Sequence, residues 1–202
     1  GNELEGVSVF KSPDRKVGQS RETDVYGYDD ERLVIKVPKT GTKVVDSVNT
    51  AMSEIRNYEA ARELIASLIK ANGGRSGVAV KQTAVIHDPK DDRGVSYSRV
   101  QEWYQDAKPL AEMGVEILKL PRQSLIDLRS IFTANLQIYR EKGAFLDLVG
   151  STTSKRSKPS KIVKHLFPIF YSENIVIDKD DVPRLIDLGS LNNINTDNLA
   201  TK

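Results

Sequence analysis

The stretch Asn174-Ile175-Val176-Ile177-Asp178, followed by Leu185-Ile186-Asp187-Leu188-Gly189, decides how this chain is read. It predicts a strand carrying an amide side chain, a short acidic turn from Asp178 to Pro183, and a second strand that ends in a carboxylate and a glycine. An Asn and an Asp held on adjacent strands, about a dozen residues apart, suit a divalent cation that takes oxygen ligands. Such a cation can in turn hold phosphate groups.

Working back from this hairpin, Asp147 stands within Phe145-Leu146-Asp147-Leu148-Val149. A carboxylate among apolar residues needs compensation for its charge, and it can take a proton from an attacking hydroxyl where geometry allows. The plainer alternative is a turn or capping aspartate. Ahead of it the pattern predicts an amphipathic helix, with Ser124 and Asp127 as a carboxylate variant of the capping box. Leu125, Leu128, Phe132, Leu136 and Tyr139 share one face, and Gly143 stops the helix.

The first half reads as strands around one helix. Strands are predicted at Val7–Phe10, Thr23–Tyr28 and Arg32–Val37, with Gly18-Gln19-Ser20 as a turn between the first two and Asp29-Asp30 as a hairpin turn. A long helix from Asp46 to Ala71 places Val48, Met52, Ile55, Arg62 and Leu64 or Ile65 near helical spacing, and Asn72-Gly73-Gly74 ends it. Strands at Gly77–Ile86 and Val95–Trp103 follow, joined by a polar turn from Asp88 to Gly94, and Gln105–Arg122 reads as a connector. Within Leu33-Val34-Ile35-Lys36-Val37, Lys36 is a lysine among core-type residues and calls for an anionic partner. An edge-strand lysine reaching for water is the alternative. Glu54 or Glu59 of the long helix can supply the partner, and Glu54 is preferred because Tyr58 and Ala61 lie on its side of the helix.

Composition narrows the class. The 202 residues, 39% hydrophobic and 29% charged, suffice for one domain or two small lobes with a sizeable core. No apolar run approaches the ~20 residues that span a bilayer, and no signal peptide opens the chain, so no membrane partner is expected and the cytoplasm is the default location. The absence of cysteine removes disulfides and thiolate metal sites, and His87 and His165 stand too far apart to suggest zinc. A net charge of +2 does not indicate nucleic acid. The order strands, helix, strands, connector, helix, hairpin predicts an α+β fold of two lobes with a cleft between them, divided as 1–104 and 105–202.

Taken in order, Gly18-x-Ser20 through Val25-Tyr26, Val34-Ile35-Lys36, a helix glutamate, Asp147, Asn174 and Ile186-Asp187-Leu188-Gly189 resemble the succession of parts in protein-kinase-like phosphotransferases, and most of all their small, divergent bacterial members. The resemblance covers nearly the whole chain, and its most specific part is Asn174 to Gly189. It implies an antiparallel-sheet N-lobe with one long helix and a reduced, mainly helical C-lobe, with ATP and magnesium as cofactors. Lys36 would hold the α and β phosphates and be oriented by Glu54. Asp187, with Leu188 where the family has Phe, would coordinate magnesium, Asn174 would hold the second cation, and Asp147 would be the catalytic base. Gly18 and Ser20 would belong to the phosphate-covering loop. Val100 to Tyr104, with Glu102 and Trp103, would form the hinge at the adenine.

The chain departs from the family pattern in three places. The phosphate loop lacks G-x-G-x-x-G. Between Asp147 and Asn174 lie 26 residues, and Phe145-Leu146 replaces the His-Arg that precedes the aspartate. Finally, 13 residues follow Gly189, so the activation segment and the later helices on which peptide substrates dock are not expected. A small-molecule acceptor is therefore favoured over a peptide. Lys155, Arg156 and Lys158, in a basic loop, are candidates for binding an anionic acceptor, and a solvated loop is the plain alternative. The competing functions are a pseudokinase acting as a nucleotide-binding or protein-interaction module, and transfer of AMP in place of the phosphoryl group.

Overall fold

The computed structural model describes residues 13–19, 23–30, 32–39, 45, 47–87, 96–143, 146, 148 and 172–188. The fold is α+β, and the chain divides into two compact units, 1–55 with 82–105 and 56–81 with 106–202. No helix among the described residues is long and apolar enough to cross a membrane.

The first unit is built on a five-stranded antiparallel sheet in the order β1-β2-β3-β5-β4, formed by β1 (Arg15–Gln19), β2 (Thr23–Tyr28), β3 (Leu33–Pro38), β4 (Gln82–His87) and β5 (Ser96–Glu102). Alternation along the strands separates two faces. One collects Tyr28, Leu33, Ile35 and Val100 into a small core, with Tyr26, Val37 and Val85 at its margin. The other receives the first turns of α1 (Val48–Ala71), where Ala51 packs with Tyr97, Ile55, Ala84 and Ile86. Ser47 opens the helix by accepting the Thr50 N–H at 3.2 Å. Gly73, at φ 87°, closes it, with the Gly74 N–H bonded to the Ile69 carbonyl at 2.9 Å.

The second unit has its own core. Ile65 and Ile69 of α1 meet Leu128, Ile131 and Ile138 of α3 (Arg122–Lys142), with Leu110, Leu146, Leu148 and Leu188. Ile175 and Leu185 join them from a three-stranded sheet in the order β6-β7-β8, made of β6 (Lys108–Pro109), β7 (Ile175–Ile177) and β8 (Pro183–Leu185). Between β6 and α3 lie the single turn α2 (Leu110–Met113) and a 3-10 turn at Gly114–Lys119.

Several expectations are corrected. Gly18 and Gln19 are not a turn: they lie in β1, opposite Val25 and Asp24. Gly77–Lys81 does not extend β4. Instead Ala79 bridges in parallel to Leu185 of the other sheet, held by the Leu185 N–H to the Val78 carbonyl at 2.7 Å. The segment 105–122 is not a plain connector, because β6, α2 and the 3-10 turn fall within it. On α1, Val48 and Met52 are exposed and the buried stripe runs through Ala51, Ala61, Ile65 and Ile69.

On α3 the capping box does not form. Pro121 precedes the helix without a side-chain cap, and Asp127 is fully buried against Arg75. The buried face runs through Ser124, Asp127, Leu128, Ile131, Ala134 and Ile138, whereas Leu125, Leu136 and Tyr139 are exposed. The polar residues at the start of that face are satisfied by partners distant in sequence, which rotates it away from the apolar count. The strand expected at Val7–Phe10 and the turn at Asp88–Gly94 lie outside the described residues.

Candidate functional site

Each unit carries part of the polar set. In the first, Lys36 stands half-buried on β3, paired with Val25 on one side and Arg99 on the other. It shares the sheet face onto which α1 packs, as do Tyr97 and Arg99. Glu54 is half-buried on the sheet-facing side of α1, and its carboxylate accepts the Tyr97 hydroxyl at 2.8 Å. Glu59, the alternative, is exposed. Burial, reinforced by the Glu54 carboxylate, raises the Tyr97 phenol above its ordinary range.

At the end of β5 the backbone continues the ladder, with the Trp103 N–H donated to the Arg32 carbonyl at 2.7 Å. The Trp103 ring lies against Gly27 so closely that a Cβ there would sit 2.6 Å from the ring, and Arg15 stacks 5.2 Å from the ring centroid. Gly27 is required here by the close approach of the indole. Glu102 is exposed and accepts the Tyr104 hydroxyl at 2.7 Å. Gly18 has no such crowding: its nearest side-chain atom, Val25 Cβ, would lie 3.8 Å from an added Cβ. Ser20 lies outside the described residues.

In the second unit a hairpin forms as expected, but its second strand is Pro183–Leu185, earlier than the stretch from Leu185 expected to form it, so Asn174 and Asp187 flank the strands. Asn174 precedes β7 by one residue and Asp187 follows β8 by two. The Asn174 carbonyl accepts the Ile186 N–H at 2.9 Å, so the ladder continues to the hairpin's open end, where Asn174 and Asp187 both stand half-buried. The Asn174 N–H reaches the Leu148 carbonyl at 3.4 Å, and the Leu146 N–H donates to the Asn135 side chain at 2.7 Å. Leu146 and Leu148 are both buried in the core. Asp147 lies outside the described residues, as do Lys155, Arg156 and Lys158. The bond from Asn174 to Leu148 nevertheless brings together two segments that the sequence holds far apart.

The turn of this hairpin is organised by Asp178. Its carboxylate accepts the Asp180 and Val182 N–H groups, both at 2.9 Å, and pairs with Arg184 at 2.8 Å. Burial alone would raise its pKa, but the two amides and the guanidinium outweigh it and hold Asp178 below the ordinary carboxylate value. Arg184 also donates to the Gly77 carbonyl at 3.0 Å. Beside the hairpin, Arg75 donates its backbone N–H and its Nε to Asp127 at 2.8 and 2.7 Å, and Ser124 donates to the Asp181 carbonyl at 2.5 Å.

Among the described residues no group of three or more His, Cys, Asp or Glu is placed to hold a metal ion. Asn174 and Asp187, at the hairpin's open end, carry side-chain oxygens, the donor type that hard cations take. Sequence reading missed Tyr97, Arg99 and the Arg75–Asp127 pair. The signal for Tyr97 and Arg99 was their alternation with Gln101 on one face of β5. For Arg75 and Asp127 no local signal exists, because the partners come from separate elements. The chain matches no protein-family model, no curated protein and no solved structure.

Proposed function

We propose that the protein is an ATP- and magnesium-dependent phosphotransferase of protein-kinase-like architecture, acting on a small-molecule acceptor. In this reading Lys36 takes the nucleotide phosphates with Glu54 as its orienting partner, Asn174 and Asp187 hold magnesium, and Asp147 is the base. The observation that supports it most is the hairpin. An amide and a carboxylate stand at its open end, and the Asn174 N–H is bonded to the carbonyl of Leu148, the residue after Asp147 in the sequence. Phosphoryl transfer asks little covalent chemistry of a protein beyond placement of such groups and neutralisation of phosphate charge. The sheet face bearing Lys36, with Glu54 turned toward it, is the second support. The test is nucleotide turnover with magnesium across candidate acceptors. Asp187→Asn is expected to abolish it, and unchanged turnover in that variant overturns the assignment.

Trp103 favours a second reading, a pseudokinase that binds partners or nucleotide without turnover. Its N–H, at a position where a hinge would offer backbone groups to adenine, is engaged by the Arg32 carbonyl, and its ring covers Gly27. Trp103 is the single tryptophan, so its fluorescence reports on this position. Unchanged emission on ATP addition together with absent turnover supports the second reading. Transfer of AMP would register as the added mass of a nucleotide on the protein or acceptor.

A further inference from the structure

Helix α3 carries two stripes, and the core takes only one of them. Ser124, Asp127, Leu128, Ile131, Ala134 and Ile138 form the buried face. At the helical repeat of 3.6 residues, Leu125, Phe132, Leu136 and Tyr139 line up as a second, apolar stripe on another side. Leu125 is 38% exposed, Leu136 53% and Tyr139 46%, and Phe132 is half-buried at the margin of the core. Large apolar side chains scattered singly over a surface need no explanation, whereas a continuous row along one helix marks a surface that meets a partner. Arginines accompany the row. Arg129 stands in the stripe between Leu125 and Phe132, and Arg122 and Arg140 run along one flank, all three exposed. The acids of α3 lie elsewhere: Asp127 is buried against Arg75, and Glu141 falls on the side away from the stripe.

Shape and charge select the occupant. A stripe this narrow matches the seam between two packed helices. Arginine suits the margin of such a seam, because its stem packs on apolar surface while its fork pairs with carboxylates. A second copy of the chain is a poor match. Antiparallel pairing of two α3 helices sets like flanks together, arginine against arginine, and in parallel pairing α3 brings no acid to meet them. A membrane is a poor match as well, since the buried face and Phe132 hold α3 in the core and keep the stripe from sinking among lipid headgroups. We propose that this face of α3 docks an acidic amphipathic helix of a partner protein, whose apolar residues seat on the stripe and whose carboxylates pair with Arg122, Arg129 and Arg140. None of these residues belongs to the set proposed for phosphoryl transfer, so the surface stands independently of that reading.

The probe is a synthetic helical peptide with leucine at heptad positions a and d and glutamate at e and g, beside a twin with lysine in place of glutamate. Each is labelled, kept below the concentration at which it self-associates, and titrated with the full chain by fluorescence anisotropy. The glutamate peptide is expected to bind at least about 10-fold tighter than its twin, with an affinity that falls as salt is added. Leu136→Gln is expected to weaken that binding about 10-fold or more, as loss of an apolar anchor does. Arg129→Glu is expected to reverse the preference, so that the lysine peptide binds the tighter. Both positions are exposed, and urea midpoints close to that of wild type are expected for both variants. Equal affinity for the two peptides, no binding of the glutamate peptide, or unchanged affinities in both variants overturns the proposal. Self-association of the chain that Leu136→Gln abolishes, seen by analytical ultracentrifugation, overturns it in favour of a second copy. Leu136-dependent binding to vesicles of phosphatidylserine and phosphatidylcholine, without peptide binding, overturns it in favour of a membrane.

Discussion

Asp127 has no exposed surface and keeps its charge compensated by Arg75, whose side chain is 37% exposed. Removing one member of such a pair costs more than the pair contributes, because the remaining buried charge is stranded. Arg75→Met is therefore expected to lower stability by ~3–5 kcal/mol, read from the urea midpoint, and the double variant Arg75→Met/Asp127→Leu to recover most of that loss. Asp178 gives a pH-dependent counterpart. Its folded pKa lies below the unfolded value of about 3.9, so it adds stability that is fully present above that value and lost as pH falls through the folded pKa. The stability difference between wild type and Asp178→Asn is expected to be constant from neutral pH to about 5 and to shrink below about 4, measured by urea unfolding across pH. Neither role was legible beforehand. Asp127 resembled a cap because Arg75, which defines it, lies on a separate segment; Asp178 read as one acid of an acidic turn, and its pairing with Arg184 follows from the register of the hairpin.

The elements themselves were largely legible. β2, β3 and both long helices fall within two or three residues of their expected bounds, because alternation, amphipathic spacing and glycine stops are local properties. What local pattern misassigned were the faces and the joins. The stop of α1 carries a test of its own, as its two glycines serve different ends. Gly73 is there for its left-handed backbone, and Gly73→Ala is expected to cost about 1 kcal/mol. Gly74 is there for space: an added Cβ would collide with the Ser130 hydroxyl and lie 2.5 Å from Ile69 Cγ2. Gly74→Ala is expected to cost more than Gly73→Ala, about 1–3 kcal/mol, since backbone and core must shift to admit it. Thermal or denaturant melts of the two variants side by side check the order.

For the molecule as a whole, one α-helix serves two cores, giving Ala51 and Ile55 to the first unit and Ala61, Ile65 and Ile69 to the second. A ligand selective for the folded chain registers as global stabilisation, about 2.7 kcal/mol at a concentration 100-fold above its Kd. For a chain of this length that is a rise in Tm of roughly 5 °C or more. Magnesium-ATP is expected to produce such a shift in wild type, and Asp187→Asn to lose the part that depends on magnesium. The sequence by itself determined the α+β class and the hairpin with Asn174 and Asp187 at its open end. Each of these follows from periodicity and turn chemistry that act over a few residues. Only the tertiary structure decided that Leu148 bonds to Asn174 across the intervening residues, that Arg99 stands opposite Lys36, and that Asp127 belongs to Arg75. Strand register and buried ion pairing join distant segments, and no local pattern encodes which segments will meet.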